Sequence, residues 1–149
     1  QVEAGAQMLE VFDSWAGDLS PKIFKEFVLP CLVRIPKEVK AQLRAKKMVP
    51  VPMTVFPKGA HFAMEWIAEN TEYDVISLDW SMDAKSVREQ TNNVRKLSFQ
   101  GNLDPSVLYG STETIQREAR AMVDNFGKQR YIANLGHGML PSHSPDAVK

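Results

Sequence analysis

The residues best placed to do chemistry are those of a glycine-flanked imidazole, Gly136-His137-Gly138, near the C-terminal end. They follow Tyr131-Ile-Ala-Asn134, which reads as a short buried strand breaking into a loop that continues to Pro141. Neither glycine has a Cβ, so the backbone is free to turn sharply and a ligand to approach closely. A histidine held this way at a strand end is placed to meet something. The competing reading is that His137 caps a turn.

Other polar residues sit at the ends of apolar stretches in the same manner. Ser14 follows Met8 to Phe12 but lacks a Gly-x-Ser-x-Gly elbow, so it is not a serine-hydrolase nucleophile. It either donates a hydrogen bond to a ligand or ends its strand. Phe12, two residues earlier, points to the same side and either packs a core or lines a pocket. Asp79 with Trp80, and Asn102 with Asp104, are rim residues or turn formers. The run Gly-Asn-x-Asp-Pro favours the turn for the second pair. Asp13, Asp79 and Asp104 are too scattered to mark a glycosidase pair. His61 and His143 lie in loops, and the chain has no His-x-Cys or His-x-Glu spacing, so no metal site is expected. Cys31 reads as a small buried apolar residue on a helix.

Composition narrows the class. The 149 residues include 18 basic and 18 acidic side chains, so no basic field exists to hold nucleic acid or an anionic membrane. An apolar fraction of 44% with 24% charged residues is ordinary for a globular chain. The single cysteine precludes an internal disulfide and points to a reducing compartment. No apolar run approaches the ~18 residues of a membrane span. The chain opens on Gln1-Val-Glu-Ala-Gly-Ala-Gln7, which reads as a helix tail rather than a signal peptide, and stops where a helix begins at Pro145. Both ends read as cut from a longer protein.

The elements that must carry these residues alternate. Strands are expected at Met8 to Phe12, Val49 to Phe56, Asp74 to Leu78, Leu97 to Gln100 and Tyr131 to Asn134. The first helix starts at Ser20-Pro21, with serine as cap and proline at the first helical position. Ile23, Phe24, Phe27, Val28, Leu32, Val33, Ile35, Val39 and Leu43 form its apolar face, and Pro30 and Pro36 should kink or divide it. Further helices are expected from Phe62 to Ala68, from Asp83 to about Asn92, and from Ser111 to Gly127. The last carries Ile115, Ala119, Met122, Val123 and Phe126 on its buried face. Alternation with short connections predicts a parallel sheet covered by helices. Ser14, Lys58, Asp79, Asn102, Asp104 and His137 should then gather at one rim, where such sheets carry their sites. The first loop, Asp13 to Gly17, is neither GxGxxG nor a Walker loop, which favours a (β/α)8 barrel over a doubly wound sheet. A whole barrel needs ~250 residues, so this chain is expected to be about the second half of one.

Several segments resemble the uroporphyrinogen decarboxylase family, in the family's order and over nearly the whole chain. They are Ala4-Gly-Ala-Gln7, Val11-Phe-Asp-Ser-Trp-Ala-Gly17, Val51-Pro-Met53, Leu78-Asp-Trp80, Leu97 to Pro105 with its Gln-Gly-Asn-Leu-Asp-Pro core, and Arg130 to Gly138. The resemblance, nearest to the animal type, implies one barrel domain of which residues 1–149 are the C-terminal part. It also implies a cytoplasmic, homodimeric enzyme that needs no cofactor or metal. Such an enzyme removes CO2 from the four acetate groups of uroporphyrinogen to give coproporphyrinogen. On this resemblance Ser14 contacts substrate, His137 binds a substrate carboxylate and Phe12 lines the cleft. The family's arginine motif, its pyrrole-binding aspartate and its substrate-binding tyrosine match nothing in this sequence, so no catalytic residue is assigned. Asp13 is only the neighbour of Ser14, and Trp15 stands where the family admits a histidine. Two alternatives remain: a tetrapyrrole-binding module without catalysis, and a zinc-dependent corrinoid or thiol methyltransferase of the same superfamily. The methyltransferase needs cysteine and histidine ligands that the His137-Gly-Met139 loop lacks.

Overall fold

Five short stretches pair side by side into one sheet. In the computed structural model, which describes residues 1–148, they are β1 (Leu9–Asp13), β2 (Met53–Pro57), β3 (Val75–Ser77), β4 (Ser98–Leu103) and β5 (Tyr131–Leu135). All neighbours are parallel, in the order β1-β2-β3-β4-β5. Parallel neighbours require a crossover, and helices supply each one. Between β1 and β2, α1 (Pro21–Ile23) continues through a π-helical turn (Phe24–Val28) into α2 (Leu29–Ala45). The next crossovers are α3 (Met64–Asn70), α4 (Ala84–Asn92) and α5 (Thr112–Phe126). The strand order never reverses, as it would in a doubly wound sheet. The architecture is a (β/α) barrel wall.

Period-two alternation divides the strands between two faces. Leu9, Val11, Met53, Val55, Ile76, Phe99 and Tyr131 join Phe24, Leu32, Ile67, Val87 and Phe126 in the core between sheet and helices. The other face carries Glu10, Phe12, Thr54, Phe56, Ser77 and Gln100. That face is concave. β1 and β4 are three strands apart, roughly 14 Å in a flat sheet, yet the Gln100 amide reaches the Glu10 carboxylate at 3.1 Å.

Local chemistry sets the helix ends as the sequence leads one to expect. Ser20, Asp83 and Ser111 accept from the backbone N–H groups of Ile23, Ser86 and Thr114. Gly127 closes α5 at φ 74°, its N–H bonded to the Val123 carbonyl at 2.8 Å.

Several expectations need correction. Residues 1–7 hold only a 3-10 turn (Val2–Ala4), ended by Gly5 at φ 101°. Pro36 does not divide the long helix; it lies buried inside α2. Pro30 falls in the first turn of α2, just after the π turn, where a missing N–H costs little. That turn also shifts the buried stripe, joining Phe24 to Leu29 five residues on, while Ile23 and Phe27 face solvent. Cys31 is exposed rather than buried, because α2 turns Leu29, Leu32, Pro36 and Leu43 inward instead. On the expected buried stripe of α5 only Phe126 is fully buried. β2 starts late, at Met53, since Pro50 and Pro52 have no N–H for the ladder. β4 is not broken at Gly101 but runs to Leu103. β5 is an edge strand whose Ile132, Ala133 and Asn134 are exposed, not a buried one. The expected helix start at Pro145 is a 3-10 turn (Pro145–Val148), and Lys149 lies outside the described residues.

Candidate functional site

The carboxyl ends of the five strands open on one rim, and below it the concave face holds a cleft of about 330 Å³. Glu10 and Phe12 enter it from β1, Phe56 from β2, Ser77 from β3 and Gln100 from β4. Asn134 and the loop through Gly136, His137 and Met139 complete it. Its upper part is aromatic. Phe12 meets Phe56 edge-on at 6.2 Å, and the His137 ring stands edge-on to both Phe56, at 6.2 Å, and Trp80, at 5.8 Å. The Lys58 ammonium lies 5.8 Å from the Trp80 ring, within the range of a cation–π contact. Phe12 is 69% exposed, a large apolar surface left open on the concave side.

Glycine and carboxylate contacts hold the rim loops at fixed spacing. A Cβ on Gly136 would stand 2.4 Å from the Trp80 nitrogen, so only glycine lets the His137 loop pack on the loop after β3. That corrects the expected reason for the glycine pair. Gly136 is required by close packing rather than by a turn, and a Cβ on Gly138 would meet nothing within 4 Å. A Cβ on Gly17 would likewise stand 2.6 Å from the Gly59 backbone, so the loops after β1 and β2 also meet glycine to glycine. Asp79 is buried, and its carboxylate accepts from the Gly59 N–H at 2.6 Å, the Ser81 N–H at 2.8 Å and the Ser81 hydroxyl. Asn102 donates to the carbonyls of Asp79 and Met82 at 2.8 and 2.7 Å. Asp104 accepts from the Ser106 N–H at 2.8 Å. Asp79, Asn102 and Asp104 are therefore loop formers.

Of the residues singled out from sequence, Phe12 and His137 line the cleft together. Ser14 sits half-buried just past the end of β1, outside the cleft's lining. Asp13 belongs to the opposite face with Leu9 and Val11, and burial raises its pKa despite a hydrogen bond from the Trp15 backbone. His61 bonds to the Ser81 hydroxyl at 3.0 Å, and the buried His143 accepts the Leu140 N–H at 3.1 Å. Among the described residues no three His, Cys, Asp or Glu side chains are grouped to hold a metal ion. No helix among them is long and apolar enough to cross a membrane.

Sequence reasoning missed the floor of the cleft. Gln100 donates one amide hydrogen to the Glu10 carboxylate, at 3.1 and 3.3 Å from its two oxygens, and the other to the Ser77 hydroxyl at 3.3 Å. Burial raises the Glu10 pKa, and the Gln100 bond opposes that only in part. The available signal was a charged residue two positions before Phe12 inside an apolar strand.

The family model described as "Uroporphyrinogen decarboxylase (URO-D)" matches residues 1–149. The uroporphyrinogen decarboxylase of Schizosaccharomyces pombe is 50% identical over 151 aligned positions, covering 100% of this chain and 42% of that protein. Those of Homo sapiens and Salinibacter ruber are each 47% identical, covering 99% and 100% of this chain and 40% of theirs. The chain thus spans about two fifths of the length of these relatives, and identity does not set the animal type apart from the fungal or bacterial one. A methyltransferase from Methanosarcina mazei superposes with a TM-score of 0.72 at 20% identity, over 99% of this chain and 41% of its own, which shows the shared fold alone.

Proposed function

Because the chain belongs to the uroporphyrinogen decarboxylase family, we propose that it forms one wall of the site at which the whole protein converts uroporphyrinogen to coproporphyrinogen. The carrying observation is the cleft on the concave face, with His137 held edge-on between Phe56 and Trp80. Four acetate groups each lose CO2 and become methyl groups. Protonating the pyrrole beside the acetate creates an electron sink. The electron pair of the breaking carbon–carbon bond enters the ring. A proton then adds to the exocyclic carbon to make the methyl, and the ring releases the proton it first took up. The chemistry asks the protein chiefly to orient the macrocycle and to place charge. In this reading His137 and Ser14 bind substrate carboxylates or their neighbours, and Phe12 with Phe56 gives the macrocycle an apolar face to lie against. Residues 1–149 act as the C-terminal part of a single barrel domain in a homodimeric, cytoplasmic protein. The arginine motif and the aspartate that the family brings to the substrate match no position here, so the 149-residue chain alone is proposed to be inactive.

The test has two parts. His137→Asn in the natural-length protein should raise KM for uroporphyrinogen about tenfold or more, the scale of one charge-assisted hydrogen bond, with a smaller change in kcat. Unchanged kinetics would remove His137 from the site. Turnover by residues 1–149 alone would contradict the claim that the chain is inactive. The second reading, a tetrapyrrole-binding module without catalysis, is favoured by the same unmatched motifs. It predicts tetrapyrrole binding by residues 1–149 themselves without release of CO2.

A further inference from the structure

The loop that carries His137 is anchored at both ends by contacts made within this chain. At its start the Gly136 N–H bonds to the Leu103 carbonyl at 2.7 Å, and Gly136 packs on Trp80. At its far end His143 is buried in a turn closed by two bonds to one residue. Its backbone N–H donates to the Leu140 carbonyl at 3.0 Å, and its ring Nδ1 accepts the Leu140 N–H at 3.1 Å. Tyr109, from the 3-10 turn (Pro105–Tyr109) that follows β4, secures this turn from outside. Its ring centre lies 4.4 Å from that of His143, and its hydroxyl shares a 2.6 Å hydrogen bond with the Ser142 hydroxyl. His137, Gly138 and Met139, which lie between the two anchors, are the residues that line the cleft.

The bond from Leu140 fixes the form of the ring. A nitrogen that accepts an N–H carries no proton of its own, so His143 is neutral with its hydrogen on Nε2. A second proton would set two N–H groups against each other and strip the Leu140 donor of its acceptor. The titratable groups on the elements around it are Tyr109, His137 on the loop itself, and Asp146 in the turn Pro145–Val148, which packs on the Pro105–Tyr109 turn. Asp104, at the other end of that turn, is bonded to the Ser106 N–H. We infer that Tyr109 and His143 are positioning residues for His137, and that their hold requires a neutral His143, so the cleft grips its ligand less firmly once that ring takes a proton. The inference rests on the proposed reading of the site and adds to it a pH dependence whose sign is fixed: acid weakens binding through the loop.

His143→Asn in the natural-length protein is the informative variant, because its amide oxygen accepts the Leu140 N–H in place of Nδ1 and takes no proton. Circular dichroism checks that it is folded. Protection of the Leu140 amide against hydrogen exchange, corrected for the intrinsic effect of pH, reads the loop without any ligand. It is compared at about pH 8 and about pH 5, on either side of the ~6.5 at which histidine ordinarily titrates. Protection should fall about three- to tenfold at the lower pH in the unmodified protein, the scale of one hydrogen bond, and stay level in His143→Asn. Anaerobic calorimetry with uroporphyrinogen should follow. The two proteins should bind alike at the higher pH, and the variant about three- to tenfold tighter at the lower, since titration of His137 and of the ligand is common to both. Tyr109→Phe keeps the ring contact but loses the Ser142 bond, and should lower protection at both pH values; an unchanged loop would remove Tyr109 from the scheme. Equal protection at both pH values in the unmodified protein, or a rise at the lower one through a new bond to Asp146, overturns the inference and leaves the site reading intact. Exchange that responds while the affinity ratio stays level overturns the positioning role. Failure of the unmodified protein to bind uroporphyrinogen at either pH overturns both.

Discussion

Gly136→Ala is the substitution whose outcome the structure fixes most tightly. The added Cβ would lie 2.4 Å from the Trp80 nitrogen and 2.9 Å from its Cα and Cβ. Ordinary contact begins near 3.4 Å, so about 1 Å of movement is needed (3.4 − 2.4), and the obstructing atoms are mostly backbone that cannot rotate away. Overpacking of this kind costs about 1–3 kcal/mol. For a chain of this size each kcal/mol lowers Tm by about 2–4 °C, so the variant should melt roughly 2–12 °C lower. The same movement would part His137 from Trp80, now 5.8 Å apart between ring centres, and, on the proposed reading of the site, weaken substrate binding as well. Gly138→Ala is the internal control, since its Cβ meets nothing within 4 Å and its φ lies outside the left-handed region. It should change stability by less than about 0.5 kcal/mol. Thermal and urea unfolding followed by circular dichroism would decide. If Gly136→Ala melts with the unmodified protein, or if the two alanines are equally harmful, the packing explanation for the glycine pair is wrong.

The other expectations are quickly stated. Asp79→Asn replaces an acceptor that receives two backbone N–H groups with an amide that must turn one donor toward them; a loss of about 1–3 kcal/mol is expected in urea unfolding, and none would mean that the rim loops hold without it. Glu10 has its pKa raised above the ordinary 4.5 by burial, so the folded state binds this proton more tightly than the unfolded one. The stability this contributes is complete below 4.5 and is lost as pH rises through the raised value. Glu10→Gln should therefore gain stability relative to the unmodified protein between acid and neutral pH, by a small amount because the group is partly solvated; a pH-independent difference would refute this, with His137 the other titratable group on the cleft. Finally, β1 and β5 lie at the two edges of the sheet, and the concave face leaves Phe12 open. Residues 1–149 alone should self-associate or aggregate, and a dilute monomer in light scattering would count against that.

Much of this protein was decided by local pattern and needed no tertiary structure. Caps at Ser20, Asp83 and Ser111, the glycine end of α5 and the alternation of strand and helix follow from backbone hydrogen-bonding needs within a few residues, and they suffice for a parallel barrel wall. The run of matched segments was enough to place the chain in its family. That Phe12 and His137 share the concave cleft was also legible, because a strand's period of two and a glycine-flanked loop are one-dimensional signals. What the sequence left open depends on distances between segments far apart in the chain. The π turn that moves Phe27 and Cys31 outward, the continuation of α2 through Pro36 and the run of β4 past Gly101 are settled by packing, which overrides residue preference. Gly136 needs to be glycine because Trp80, 56 positions earlier, passes against it (136 − 80), and Glu10 reaches Gln100 across 90 positions because the sheet curls. Curvature is a property of the assembled strands. It turned a charged residue in an apolar strand into the floor of a cleft.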